Sequence, residues 1–136
     1  MNVASIMTRN VLTVKIDYFI QIIRDIFNNF EFHHILVLEN QKLIGVISDR
    51  DLIDREERDT ITLNSRAHEI MSRTPITVDV ETSIEKASDL LLENNISCLP
   101  VISPQGSVKG IVTWKDILKF YLKNKIGGVK NDCNYS

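Results

Sequence analysis

Two short segments of the sequence carry a hydroxyl residue and an aspartate at the same spacing. The segment GVISDRD recurs 65 positions later as GIVTWKD. Ser48 lies three residues before Asp51 in the first of these repeated segments, and Thr113 lies three residues before Asp116 in the second. This spacing is typical of a helix capping box, in which the hydroxyl accepts a backbone N–H bond and the carboxylate reaches back.

The same residue types also suit a nucleotide site. The N-terminus of a helix presents free N–H groups and a partial positive charge, and both attract phosphate. A hydroxyl there adds a donor, and an aspartate one turn further along can accept both hydrogen bonds of a ribose diol. The two roles are compatible, because side chains that cap a helix without ligand can also contact a ligand. From these residues alone both interpretations stay open.

The repeat extends over nearly the whole chain, which indicates a tandem duplication. At an offset of 64 residues, Ile6–Met7 matches Ile70–Met71 and Thr13–Val14 matches Thr77–Val78. A loop that is one residue longer, at Ser103–Ser107, accounts for the offset of 65 in the repeated segments. A unit of this size usually cannot bury its apolar face alone, so we expect the two copies to stack.

Each copy has the apolar pattern of strand, helix, strand, strand, helix. The predicted strands are residues 11–14, 35–38 and 43–47 in the first copy and 76–78, 99–102 and 108–112 in the second. The fold class predicted is α/β (α+β), with β-α-β-β-α motifs at residues 1–60 and 61–125. Residues 126–136 lack periodicity and are predicted to be a disordered tail.

Composition and charge exclude several classes of protein. The chain is 43% hydrophobic and 25% charged with a net charge of −2, which gives no reason to expect nucleic acid or an anionic membrane as a partner. Its apolar stretches are shorter than the ~18–20 residues of a membrane span, and residues 1–15 lack the pattern of an export signal. Cys98 and Cys133 fit neither a disulfide scaffold nor a zinc site, so we expect a cytoplasmic protein without a metal.

The duplicated pattern resembles a CBS domain pair, the tandem module named after cystathionine β-synthase and also called a Bateman module. The resemblance covers residues 3–123 and rests on the repeated segments, on Asn95–Val101, and on the two Ile-Met openings. It implies motifs packed about a pseudo-twofold axis with two clefts between their sheets. It also implies a stand-alone regulatory homodimer that binds AMP, ADP or ATP, needs no cofactor, and signals by conformational change to an unidentified protein in trans.

The resemblance assigns residues to each cleft. A cleft joins the hydroxyl and aspartate of one copy to the first strand and the second-strand entry of the other copy. The first cleft then contains Thr113, Asp116, Leu12, Thr13, Phe32, His33 and His34. The second cleft contains Ser48, Asp51, Ile76, Thr77, Ile96, Ser97 and Cys98.

The two clefts differ in what they offer a phosphate. His33 and His34 in the first cleft titrate near neutrality, so a phosphate would favour their protonated forms. We therefore expect the first cleft to prefer a charged nucleotide. The second cleft is expected to bind such a nucleotide more weakly or to suit a less charged adenosyl ligand. Trp114 is interpreted as a packing residue, with a lid over the first cleft as the alternative.

The alternatives to a regulatory function are catalysis and docking. Catalysis is not expected, because the sequence has no G-x-S-x-G or G-x-G-x-x-G segment and no metal-ligand cluster. Cys98 with His33 or His34 has the residue types of a nucleophile–base pair, but its apolar neighbours favour a buried thiol. The alternative function is a structural dimerisation or docking module with unoccupied clefts. The sequence leaves open which adenosyl ligand binds, whether one cleft or both are occupied, and whether the dimer is parallel or antiparallel.

Overall fold

The first copy contributes three strands to a four-stranded sheet in the computed structural model, which describes residues 1–128. After one 3-10 turn at Val3–Ser5, its elements are β1 Thr13–Lys15, α1 Ile20–Asn29, β2 His34–Glu39, β3 Lys42–Ser48 and α2 Asp49–Glu57. Strand β1 is parallel to β2, whereas β2 and β3 form an antiparallel hairpin. Helix α1 buries Ile20 and Ile23 in the core of this copy, on the face that their spacing predicts.

The second copy follows the same order with less complete strands. Its elements are α3 Ala67–Ile70, β4 Ser72–Arg73, α4 Ile84–Asn94, β5 Cys98–Ile102, β6 Val108–Thr113 and α5 Trp114–Gly128. Strands β5 and β6 form an antiparallel hairpin. The strand expected at 76–78 is reduced to one parallel bridge between Val78 and Val101. Just before it, Thr74 has a positive φ of 48° and Pro75 has no backbone N–H. Strand pairing in this segment therefore begins only at Val78.

Each copy takes one segment from the other. Strand β4, which belongs to the second copy in sequence, pairs with β3 and completes the first sheet. Conversely, Thr8 of the first copy forms an antiparallel bridge with Ile111 in β6. Buried side chains follow the same exchange, since Met71 packs in the core of the first copy and Met7 in that of the second. The matching Ile-Met openings therefore fasten the two copies to each other.

This exchange explains why both repeated segments contain a glycine. A Cβ atom built on Gly45 would lie 2.5 Å from Sδ of Met71, and one built on Gly110 would lie 2.6 Å from the carbonyl oxygen of Thr8. Both distances are shorter than van der Waals contact. Glycine at these positions lets the exchanged segment approach the strand closely.

A smaller apolar cluster joins the two sheets. Leu36 and Val46 of the first copy meet Cys98 and Ile111 of the second, and all four are buried. The faces that each copy leaves uncovered are thus buried against the other copy, as expected for a duplicated unit. The predicted pair of β-α-β-β-α motifs is present, and the cluster fixes the position of the clefts beside it.

The last helix is longer than the sequence predicts. Helix α5 continues to Gly128, so residues 126–128 of the expected tail are helical, and residues 129–136 lie outside the described part of the chain. None of the helices within residues 1–128 combines the length and the apolar character that crossing a lipid bilayer requires.

Candidate functional site

A cleft of about 1200 Å³ opens between the two copies. One wall is formed by the end of β3 and by α2 of the first copy, and the opposite wall by the segments that precede β5 and follow β4. Six of the seven residues expected in the second cleft line this space: Ser48, Asp51, Ile76, Ile96, Ser97 and Cys98. The seventh, Thr77, lines a separate depression of about 550 Å³ beside Asp79 and Lys86.

The start of α2 places Asp51 at this cleft. Strand β3 ends at Ser48, whose extended backbone and side chain form the N-cap, and Ser48 Oγ accepts a hydrogen bond from Asp51 N at 3.0 Å. The Asp51 carboxylate itself accepts no hydrogen bond from any group within residues 1–128, and the residue is exposed. Its two oxygens are therefore available to a ligand in the second cleft.

The equivalent aspartate at the start of α5 is already engaged. The Asp116 carboxylate accepts hydrogen bonds from Thr113 N at 3.0 Å and from Thr113 Oγ1 at 3.2 Å. In return Thr113 Oγ1 accepts from Asp116 N at 3.4 Å, which completes a capping box. A third donor is Thr8 Oγ1, at 3.1 Å from Oδ1 of Asp116. The capping interpretation therefore describes Asp116, whereas the Asp51 carboxylate takes no part in its own cap.

Thr8 is a residue that the sequence reasoning missed. It reaches Asp116 because the N-terminal segment packs in the second copy, beside β6. The available signal was the repeat itself: Thr8 follows the first Ile-Met opening, and Ser72 follows the second. Ser72 lines the second cleft, so a hydroxyl stands at matching positions in both copies.

The two histidines lie elsewhere than expected. The resemblance assigned His33 and His34 to the first cleft, but both line the second cleft together with Asp51. The reason is the register of the β2–β3 hairpin, in which His34 pairs with Ser48 and so stands beside the start of α2 in its own copy. A backbone hydrogen bond places His33 beside the start of α2 as well, because Asp49 N donates to His33 O at 3.0 Å.

Both histidine side chains have partners inside or beside this cleft. His33 Nδ1 lies 2.7 Å from Oδ2 of Asp49, and His34 Nε2 lies 2.8 Å from Oγ of Ser97 in the other copy. Burial lowers the pKa of His34, while the nearby Asp49 carboxylate opposes that shift. His34 is therefore neutral at pH 7 and links the two copies through a hydrogen bond to Ser97.

The remaining residues expected in the first cleft contribute to the sheet. Leu12 is half-buried against the core of the first copy, and its carbonyl oxygen accepts from Leu36 N at 3.0 Å. Thr13 is exposed in β1, and Phe32 is half-buried just before β2. Within residues 1–128, no hydrogen bond joins any of these residues to Asp116.

Trp114 also lies at the second cleft. It is 44% exposed, which argues against the expected packing role, and it lines the same space as Asp51. Its indole Nε1 donates to Ile96 O at 3.1 Å, and its backbone N donates to Ser97 O at 3.3 Å. These bonds hold the indole beside the apolar part of the cleft.

Charges of both signs border the second cleft. The cationic side chains are Arg50 and Arg73, and the carboxylates are Asp49, Asp51, Asp54 and Glu57. The buried Cys98 thiol is not among the charged groups, because burial raises its pKa to about 12. A neutral thiol is a poor nucleophile, so the pairing of Cys98 with a histidine as catalytic groups finds no support.

Comparison with known proteins identifies both copies. The family model described as CBS domain matches residues 3–58 and again residues 67–123. The resemblance to a CBS domain pair is thereby confirmed. Among curated relatives, inosine-5'-monophosphate dehydrogenase of Nitrosopumilus maritimus is 30% identical over 114 residues, which are 83% of this chain and 23% of the enzyme. The chain spans between 16% and 23% of the length of the first four relatives that it matches.

Two solved structures with bound nucleotides are similar to this chain. CBSX2 in complex with AMP is 27% identical with a TM-score of 0.78, and the match covers 91% of this chain and 98% of CBSX2. The cytosolic domain of the Mg²⁺ channel MgtE in complex with ATP is 26% identical with a TM-score of 0.73, and the match covers 88% of this chain and 48% of that one.

Proposed function

Since this chain belongs to the CBS domain family, we propose that it is a regulatory module that binds an adenosine-containing nucleotide in the second cleft. The observation that carries the proposal is the free carboxylate of Asp51 at a cleft lined by both copies. AMP, ADP and ATP are the candidate ligands. The AMP complex of CBSX2 and the ATP complex of MgtE support this choice, because both come from similar folds.

The residues of the second cleft suit the three parts of such a ligand. Asp51 accepts hydrogen bonds from the ribose diol, which needs a carboxylate with free oxygens. Ile76 and Ile96 provide apolar walls for the adenine. The phosphate lies towards Ser48, where the start of α2 supplies a partial positive charge.

The histidines complete the phosphate end of this arrangement. His33 and His34 line the second cleft, where an imidazole N–H can donate a hydrogen bond to a phosphate oxygen. We therefore assign the charged nucleotide to the second cleft and not to the first, which reverses the expectation from sequence. The closed capping box at Asp116 supports the reversal, because its carboxylate would have to break bonds to Thr8 and Thr113 before it could accept a ribose.

Signalling follows from the position of the cleft between the copies. A ligand held by Asp51 on one side and Ile96 on the other favours one relative orientation of the two motifs. The shift is limited to the difference between the affinities of the ligand for the two orientations. The output passes to a separate protein, and we assign no catalytic step to this chain.

The proposal is tested by calorimetric titration with AMP, ADP, ATP and S-adenosylmethionine. Asp51→Ala is expected to weaken binding about a hundredfold, since both hydrogen bonds to the ribose diol are lost, and Asp116→Ala is the matched control that keeps the affinity. Chemical denaturation of the same variants separates binding from folding, because only Asp116→Ala is expected to lose the ~1 kcal/mol of a helix cap. If none of these ligands binds the wild type, or if Asp51→Ala binds normally, the proposal is wrong and a docking module with empty clefts is the better account.

A further inference from the structure

The row of backbone hydrogen bonds on one edge of β5 ends at Pro100. Val78 N donates to Pro100 O at 3.0 Å, and Ile102 N donates to Val78 O at 2.9 Å. The N–H and C=O groups of one strand residue point to the same side, so the N–H that Pro100 lacks would lie on the side of residues 76–78. The next bond of this row would join Pro100 N to Ile76 O, and a proline cannot form it.

The first copy contains the bond that the second copy lacks. Leu36 holds the position equivalent to Pro100, and its N–H donates to the carbonyl oxygen of Leu12 at 3.0 Å. Leu12 is in turn equivalent to Ile76, and the two copies pair in the same register at this point. In the part of the chain that the structure describes, residues 1–128, no group donates a hydrogen bond to Ile76 O.

The Ile76 carbonyl oxygen is thus a free acceptor at the second cleft. Ile76 is half-buried and lines this cleft together with Ile96. Water can bind such an oxygen while the cleft is open, but a ligand that displaces the water must supply a donor in its place or lose affinity. The matching oxygen of Leu12 already accepts from Leu36 N, so the two copies differ in this respect.

We propose that Ile76 O accepts a hydrogen bond from the exocyclic amino group of adenine, so that the second cleft selects 6-aminopurine nucleotides over 6-oxopurine nucleotides. This inference rests on the proposed function, because it concerns the base of the same ligand. Adenine carries an N–H donor at position 6, whereas guanine and hypoxanthine carry a carbonyl acceptor there. A carbonyl that faces Ile76 O leaves both oxygens without a donor and away from water, which is unfavourable. Pro100 therefore determines the base specificity by acting through Ile76.

Titration calorimetry of the wild type with three nucleotides tests this selection. The probes are AMP, inosine 5'-monophosphate and purine riboside 5'-monophosphate, which carries only hydrogen at position 6. We expect AMP to bind about tenfold more tightly than inosine monophosphate, with purine riboside monophosphate between them. Equal affinities for AMP and inosine monophosphate overturn the inference and leave the proposed function standing. If none of the three nucleotides binds, both are overturned.

Replacement of the proline tests how the selection arises. Pro100→Ala restores the N–H, which is expected to donate to Ile76 O as Leu36 N donates to Leu12 O. The preference for AMP over inosine monophosphate is then expected to fall from about tenfold to about threefold or less, because the acceptor is engaged. Pro104→Ala is the matched control, since it adds an N–H in the exposed turn between β5 and β6 and is expected to keep the preference.

Two further measurements separate this effect from a loss of structure. Pro100 is buried, so thermal unfolding is used to show whether Pro100→Ala is folded. Asp51→Ala is expected to weaken both nucleotides and to keep their ratio, because the ribose contact does not involve position 6 of the base. A folded Pro100→Ala that retains the full preference, or an Asp51→Ala that loses it, overturns the assignment to Ile76 O. If Pro100→Ala does not fold, the comparison of the three nucleotides on the wild type decides.

Discussion

Thr8 Oγ1 lies 3.1 Å from Oδ1 of Asp116, although 108 positions separate the two residues in sequence. The contact exists because the N-terminal segment packs in the second copy and pairs with β6. The Thr8 hydroxyl thus donates to the Asp116 carboxylate, which would otherwise be free to bind a ligand. The equivalent carboxylate, Asp51, has no such partner within residues 1–128, and this difference is what makes the two repeated segments unequal.

Thr8→Val is expected to destabilise the protein by ~1 kcal/mol, the usual cost of one lost hydrogen bond. The hydroxyl is replaced by a methyl group of similar size, so the loss is confined to the bond with Asp116. Urea denaturation gives the free energy of unfolding. Ser72→Ala is the matched control, since Ser72 holds the equivalent position and makes no hydrogen bond to Asp51 in the described structure. Equal effects of the two changes would count against the special role of Thr8.

Gly110→Ala is expected to cost more stability than Gly45→Ala. The new methyl group at position 110 meets the backbone carbonyl of Thr8, which can move only with the whole segment. At position 45 it meets the side chain of Met71, whose flexible end can rotate away. Overpacking of this kind typically costs ~1–3 kcal/mol, and we expect Gly110→Ala to lie in that range and Gly45→Ala below it. A reversed order in chemical denaturation would contradict the close approach at Gly110.

His34 is expected to make stability depend on pH. Burial lowers the pKa of His34 in the folded protein, whereas in the unfolded chain a histidine titrates near ~6.5. Below that value the unfolded chain binds a proton that the folded protein does not, so stability falls as the pH drops from ~6.5 towards the folded pKa. The groups that face His34 also include Asp49, Asp51 and His33, and their charges modulate the effect.

The contribution of His34 is isolated by comparison with His34→Gln. The difference in unfolding free energy between wild type and variant is expected to be constant above pH ~7.5, about one unit above the pKa of the unfolded histidine. Below it, the wild type loses stability relative to the variant by at most ~1.4 kcal/mol per pH unit, the limit for one proton. A difference that is independent of pH, or that grows in favour of the wild type as the pH falls, is incompatible with a neutral, half-buried His34.

Trp114 provides a reporter for the second cleft. It is the single tryptophan of the chain, it lines the space beside Asp51, and its indole is bonded to Ile96 O. Addition of AMP is expected to change its emission in a saturable way in the wild type and in Asp116→Ala, and in Asp51→Ala only at about hundredfold higher AMP concentrations. If calorimetry detects AMP binding while the emission stays constant, the nucleotide does not occupy this cleft.

The sequence predicted the features that depend on local pattern. The repeat and its apolar periodicity gave the order of elements, and the Ser48–Asp51 spacing correctly located the start of α2. The helix start at Trp114 was predicted on the same basis, with Thr113 as its cap. Such features follow from residues that are neighbours in sequence, so the pattern is sufficient.

Features that depend on long-range contacts escaped prediction. A local pattern cannot show that Thr8 and Ser72 each pack in the other copy. It therefore cannot show the difference between Asp116, which Thr8 contacts, and Asp51. The placement of His34 was wrong for the same reason, because it is set by the pairing of β2 with β3 and not by its position in the repeat. The sequence favours packing for Trp114 and does not indicate its bond to Ile96, because that bond joins the start of α5 to the segment between α4 and β5.

The central claim is that Asp51 holds the ribose diol of a nucleotide. It is tested most directly by titrating wild type and Asp51→Ala with AMP and with 2'-deoxy-AMP, which lacks one hydroxyl of the diol. We expect the wild type to bind 2'-deoxy-AMP about tenfold more weakly than AMP, as befits the loss of a hydrogen bond to a charged group, and Asp51→Ala to show no preference. Equal affinity of the wild type for the two nucleotides, or the same preference in Asp51→Ala, would contradict the claim.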